Sequence, residues 1–156
     1  MSKCGVDMKK ILVSACLLGT PCRYDGKSKP CDAVIALSRY FELIPVCPEV
    51  MGGLSTPRVP AERTGDKVIT ENGKEVTKEY LLGAQNALRT AKENDCRIAV
   101  LKEKSPSCGK GRIYDGSHSR TLTEGNGTAA ELLLKNGITV LGESEAERLL
   151  PEAADL

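Results

Sequence analysis

Apolar positions gather in four short runs: KKILVSACLL (Lys9–Leu18), FELIPVCPEV (Phe41–Val50), CRIAVL (Cys96–Leu101) and ITVLGE (Ile138–Glu143). Each is brief, rich in branched residues and bounded by turn formers, the pattern of a strand buried on both faces. The second run is expected to break at Pro48. Between the runs the apolar period lengthens to that of a helix. Asp32 reads as an N-cap for a short helix carrying Val34, Ile35, Leu37 and Ser38. Thr77 opens a longer helix to about Asn94, with Tyr80, Leu81, Ala84, Ala87, Leu88 and Ala91 on one face. Thr128 to Lys135 forms another, stopped by Asn136-Gly137, and SEAERLL a terminal one. DKVITENGKEVT reads as a hairpin turning at Asn72-Gly73. Two long stretches stay irregular: MGGLSTPRVPAERTG, and Arg112 to Gly127 with one short strand.

Strands alternating with helices predict an α/β fold: a single compact three-layer domain with a small, mainly parallel sheet. Residues 9–150 are expected to form that domain, between an N-terminal tail (1–8) and a C-terminal tail (151–156). A chain of 156 residues suits one core without disulfide support. In such sheets, sites form outside the carboxyl ends of the strands.

Composition narrows the function classes. The formal net charge of +1 supplies no global field for nucleic acid or anionic membrane. Aromatics at 3% argue against a stacking platform for single strands, and no duplex partner is expected. No apolar run reaches membrane-span length, and MSKCGVDMKK has no signal-peptide core, so a cytoplasmic protein is expected. In a reducing compartment the seven cysteines, an odd number, point to metal or catalysis rather than to disulfides.

The strand map sorts those cysteines. Cys16, Cys47 and Cys108 follow the first, second and third strands, so they share one rim of a parallel sheet. Cys22 lies in a loop that reaches the same rim. Cys96 starts a strand at the opposite rim, Cys31 begins a helix, and Cys4 lies in the tail; these read as small hydrophobes or bystanders. Converging thiolates bind zinc or an iron–sulfur cluster, and the spacing alone leaves both open. Gly52, Gly53, Gly109 and Gly111 read either as close-approach positions beside such a group or as ordinary turn glycines. Arg23, Asp25 and Arg58 are expected to form an ion pair across the rim. His118, the only histidine, reads as a loop residue rather than a base. GNGTAAELL places glycines before a helix N-terminus without a dinucleotide or Walker pattern, a weak anion-site signal.

In order, ILVSACLLG with CRYDG, CPEVMGGLSTPRVPAE, KEKSPSCGKGRIYDG and GNGTAAELLLKNGITV resemble the thiouracil desulfidase (TudS) family, bacterial proteins formerly grouped as a domain of unknown function. The resemblance spans Lys10 to Glu143. It implies a [4Fe-4S] enzyme whose cluster is held by three cysteines, falling here on Cys16, Cys47 and Cys108, the same three the strand map selects. The family's catalytic carboxylate falls on Glu49, and its catalytic serine within SPSC, on Ser105 in preference to Ser107. The implied substrate is a small thiolated base, and the implied reaction is hydrolytic: C=S becomes C=O and sulfide leaves; the alternative is a non-catalytic iron–sulfur or zinc-binding protein that handles or senses sulfur. The role of Cys22 and the oligomeric state stay open.

Overall fold

The computed structural model describes residues 9–150; the two expected tails, and Cys4 with them, lie outside the described residues. Its centre is a four-stranded sheet in the order β2-β1-β5-β8, every pairing parallel. The strands are β1 (Lys10–Ser14), β2 (Glu42–Val46), β5 (Ile98–Leu101) and β8 (Thr139–Gly142). These are the four apolar runs, each trimmed by chain that turns away at its end. β1 stops at Ser14, and Ala15–Leu18 wind into a 3-10 turn, so Cys16 sits just past the strand. Pro45 is tolerated in β2 because that strand lies at the sheet edge, where a missing N–H costs no ladder bond.

Successive strand residues face opposite sides, which divides the core in two. Ile11, Val13, Val100 and Leu141 pack with Val34 of α1 (Asp32–Ala36), Leu37, and Ala146 in the terminal segment. Leu12, Ala99, Leu101 and Val140 pack on the other side with Ala91 of α3 (Thr77–Glu93) and with Ala130 and Leu133 of α4 (Thr128–Lys135). The three-layer α/β architecture follows from that alternation.

Four details depart from the sequence expectation. Leu81 is exposed; the buried stripe of α3 is Tyr80, Gly83, Ala84, Ala87 and Ala91, which lets the helix lie close. The first irregular stretch contains β3 (Ala61–Thr64), which pairs antiparallel with β4 (Lys67–Thr70) around Gly65-Asp66. Asn72-Gly73 makes a second turn just beyond, with Gly73 N–H donating to the Thr70 carbonyl at 2.9 Å. The second irregular stretch holds two strands, β6 (Arg112–Tyr114) and β7 (Leu122–Glu124), and the terminal helix is 3-10 over Glu143–Leu149.

Pro48 does break β2, and it opens a one-turn helix, α2 (Pro48–Met51), at the position where proline is pre-organised for helix entry. α2 is pressed against α3 backbone to backbone. A Cβ on Gly52 would fall onto the Glu79 carbonyl, and one on Gly83 onto the Pro48 carbonyl. A glycine inside a helix costs about 1 kcal/mol relative to alanine, so Gly83 has a packing reason. Gly83→Ala is expected to destabilise the fold by about 1–3 kcal/mol, the usual cost of overpacking, seen as a lower urea midpoint. An unchanged midpoint would show that this crossing is loose.

Candidate active site at the strand carboxyl ends

The chain steps from β1 outward to β2 and then crosses to β5 on the other side of β1. The crevice at that reversal, outside the strand carboxyl ends, is where open α/β sheets place ligands. Ser14 closes the reversal. Its Oγ accepts the Lys102 backbone N–H after β5 at 2.9 Å and donates to Cys108 Sγ at 3.3 Å. A buried serine ending an apolar run, SAC, is the signal that could have singled it out.

Above this point lies a cavity of about 410 Å³, within the range of small-molecule sites. Cys16, Cys22, Cys47 and Cys108 line it, as do Glu49, Ser105 and Ser107. The three cysteines expected at this rim, and the loop cysteine expected to reach it, are therefore together. Cys22 lines the cavity beside Cys16 and Cys47, and Cys47 Sγ donates to the Cys22 carbonyl at 3.7 Å. Cys96 is buried in the second core cluster and Cys31 packs against the first, away from the cavity. Burial pushes the Cys108 thiol up to about 12, against the hydrogen bond from Ser14 and the neighbouring Ser107 hydroxyl. Contact with Cys22, then burial, raises the Cys47 thiol, and contact with Cys16 raises Cys22. Such thiols keep their protons at neutral pH until a metal displaces them.

The donor set fits an iron–sulfur cluster better than a single ion. Among the described residues, no three His, Cys, Asp or Glu side chains converge tightly enough to hold one metal ion. A tetrahedral zinc needs its thiolates about 2.3 Å from one point. A cubane takes each thiolate on a different iron, so its ligands surround a volume. Cys16, Cys47 and Cys108 border such a volume, and the zinc alternative finds no support.

Glu49 is the second residue of α2, so the α2–α3 crossing also seats the carboxylate. Ser107 Oγ donates to Glu49 Oε2 at 2.9 Å, and Arg58 Nε donates to Oε1 at 2.9 Å. Arg58 is therefore in the site. The expected three-residue ion pair reduces to Arg23–Asp25 at 3.9 Å, because Arg58 turns inward to Glu49. Tyr80 of α3 also lines the cavity; burial first, then the nearby Glu49 charge, raises its hydroxyl well above the usual range.

The two serines divide the SPSC turn. Ser107 is buried, and its Oγ bridges Glu49 and Ser105 Oγ, which lies 3.0 Å away. Ser105 is half-buried, and its Oγ accepts the backbone N–H groups of Ser107 and Cys108, both at 3.1 Å. The turn is held from below by α4. The N–H groups of Gly127, Thr128 and Ala129 donate to the carbonyls of Gly109, Pro106 and Ser107 at 2.7, 2.9 and 2.9 Å. The weak anion-site signal at GNGT thus resolves into a cradle for the SPSC turn, with the helix donors already occupied. Gly127 is needed there, because a Cβ would strike the Ser107 carbonyl group.

The other glycines mostly serve the fold. Gly52 sits in the helix crossing, Gly53 and Gly111 are left-handed turn residues, and Gly109 packs against Ser105 and Ile113. His118 lines the cavity after all, in the β6–β7 loop, with Nδ1 3.8 Å from Glu62 Oε2. It shares a left-handed backbone with Lys104 and Arg120, which also line the cavity. For non-glycine residues that conformation is strained, and strain of this kind gathers at functional sites. The order of the chain gave no hint of these three.

Known proteins resemble this chain over most of its length. The 2-thiouracil desulfurase family model matches residues 11–145. A solved structure described as the [4Fe-4S]-dependent thiouracil desulfidase TudS is 48% identical, with a TM-score of 0.85, covering 90% of this chain and 95% of that one. An uncharacterised Bacillus subtilis (strain 168) protein, YbbK, is 40% identical over 150 residues, 90% of this chain and 99% of YbbK. A family match running from β1 into the terminal 3-10 segment takes in every side chain that lines the cavity. The chain belongs to the 2-thiouracil desulfurase family.

Proposed function

We propose that this chain is a [4Fe-4S]-dependent desulfidase that hydrolyses the thiocarbonyl of thiolated nucleobases such as thiouracil. The observation that carries this is one cavity lined by three strand-end thiols together with a carboxylate–serine chain. Cys16, Cys47 and Cys108 would hold the cluster, leaving one iron without a protein ligand. Bound there, the cluster supplies a Lewis-acidic iron suited to a soft thiocarbonyl sulfur.

The rest of the chemistry falls to the chain. Ser107 donates to Glu49 Oε2, which leaves Ser105 to donate to Ser107 Oγ. Ser105 Oγ passes its own proton through Ser107 to Glu49 Oε2 and, with two backbone N–H donors to hold the charge left on it, takes a proton from the attacking water in its place, as general-base catalysis requires. The same path returns the proton as sulfide departs. Ser105 is the end of this path open to the cavity, and Ser107 is its buried link. Its two accepted backbone N–H bonds fix Ser105 Oγ in place, so orientation is supplied before the substrate arrives. The net reaction consumes water and no electrons. It also suits a reducing, cytoplasmic setting, where free thiols persist.

Turnover in ¹⁸O-labelled water tests the hydrolytic step. Uracil formed from thiouracil is expected to carry one label, with no added reductant. Unlabelled product, or a strict need for reductant, would overturn it.

A further inference from the structure

We propose that Arg58 is a positioning residue that fixes the plane of the Glu49 carboxylate and so aims Oε2 at Ser107, an inference that rests on the desulfidase reading above. Its guanidinium is spent almost entirely on the protein. Nε donates to Glu49 Oε1 at 2.9 Å, and Nη2 donates to the Cys22 carbonyl at 2.9 Å. Nη1 donates to the Ser55 carbonyl at 3.0 Å and to Thr56 Oγ1 at 3.1 Å. Four of the five N–H donors that a guanidinium carries are thus directed at protein acceptors. The backbone N–H of Arg58 donates to the Tyr24 carbonyl at 2.8 Å, which ties the residue to the loop after Cys22 from a second direction. The side chain is only 9% exposed, so little of it is left to hold a substrate.

The consequence is an oriented carboxylate. Arg58 takes Oε1 and Ser107 takes Oε2, so the plane of Glu49 is set from both sides. Only Oε2 lies on the serine path that ends in the open cavity. Without the fork, Ser107 alone holds the carboxylate, and its plane is no longer set from both sides. Lysine in place of Arg58 keeps the charge but offers a single point, without the planar fork that reaches Glu49 and the Cys22 loop together.

The test uses two readouts on Arg58→Lys and Arg58→Ala, with iron per chain matched to wild type. The first needs no turnover: labelling of Glu49 by a water-soluble carbodiimide and an amine, read by peptide mass spectrometry. Glu49 is expected to resist in wild type and to label several-fold faster in both variants. The second is steady-state turnover of thiouracil. In both variants kcat is expected to fall about 10–100-fold with KM within threefold, and added methylguanidine to restore part of kcat in Arg58→Ala. Unchanged Glu49 labelling overturns the proposal, and so does a raised KM with kcat intact, which would assign Arg58 to substrate binding. If Arg58→Ala does not fold, Arg58→Lys decides alone. If wild type releases no sulfide from thiouracil, the desulfidase reading fails, while the labelling result still decides whether Arg58 orients Glu49.

Discussion

Cys16→Ser, Cys47→Ser and Cys108→Ser are each expected to lose the cluster and, with it, essentially all desulfidase activity. Three ligands leave no redundancy. A hydroxyl is a poor replacement for a thiolate on iron, and with one corner lost the cluster keeps only two protein attachments. Cys108 should be the most severe of the three. It is buried, takes a hydrogen bond from Ser14 and packs beside Ser107, so its replacement also disturbs the sheet reversal and the SPSC turn. Cys31→Ser and Cys96→Ser should load normally, because those thiols belong to the cores. Cys22→Ser discriminates more sharply. It lines the same cavity as Cys16 and Cys47, yet a three-cysteine cluster does not need it. Iron and acid-labile sulfide are expected at about four each per chain in Cys22→Ser and near zero in the three ligand variants. Full loss of iron in Cys22→Ser would make it a ligand and leave no open iron.

Glu49→Gln is expected to lower kcat by about 10²–10⁴-fold while the cluster stays fully loaded, the range for loss of a positioned general base. The substitution is nearly isosteric. The amide oxygen can still accept from Arg58, and α2 keeps its seat against Gly83. What is removed is the proton acceptor at Oε2. KM should move little, because nothing in the substitution removes surface from the cavity. Turnover within a fewfold of wild type would mean that water is activated elsewhere, and the serine path would lose its terminus.

Much of this was legible in the sequence because parallel core strands declare themselves. ILVS, IAVL and TVLG are continuous apolar runs that only burial on both faces explains. Once they were placed, their carboxyl ends located Cys16, Cys47 and Cys108 without further information. β3 was hidden because AERT has no apolar alternation; its pairing is set by the Gly65-Asp66 turn and by the neighbouring KVIT. Gly52 was ambiguous for a related reason. A missing Cβ shows that some backbone comes close, but not which, and here it is Glu79 of α3 rather than a bound group. Arg58 is placed at the rim by its sequence position, but its true partners, Glu49 and the Cys22 carbonyl, lie 9 and 36 residues away, in elements whose juxtaposition only the fold creates. Which serine of SPSC faces the carboxylate and which the cavity is set by the cradle under the turn and by Glu49, and spacing does not encode either.

The most direct test of the account is sulfide release from 2-thiouracil by protein reconstituted anaerobically with iron and sulfide, measured beside the iron-free protein. The account predicts sulfide and uracil in equal amounts from the loaded protein and neither from the iron-free one. A fully loaded protein that releases no sulfide, or equal release with and without iron, would contradict it.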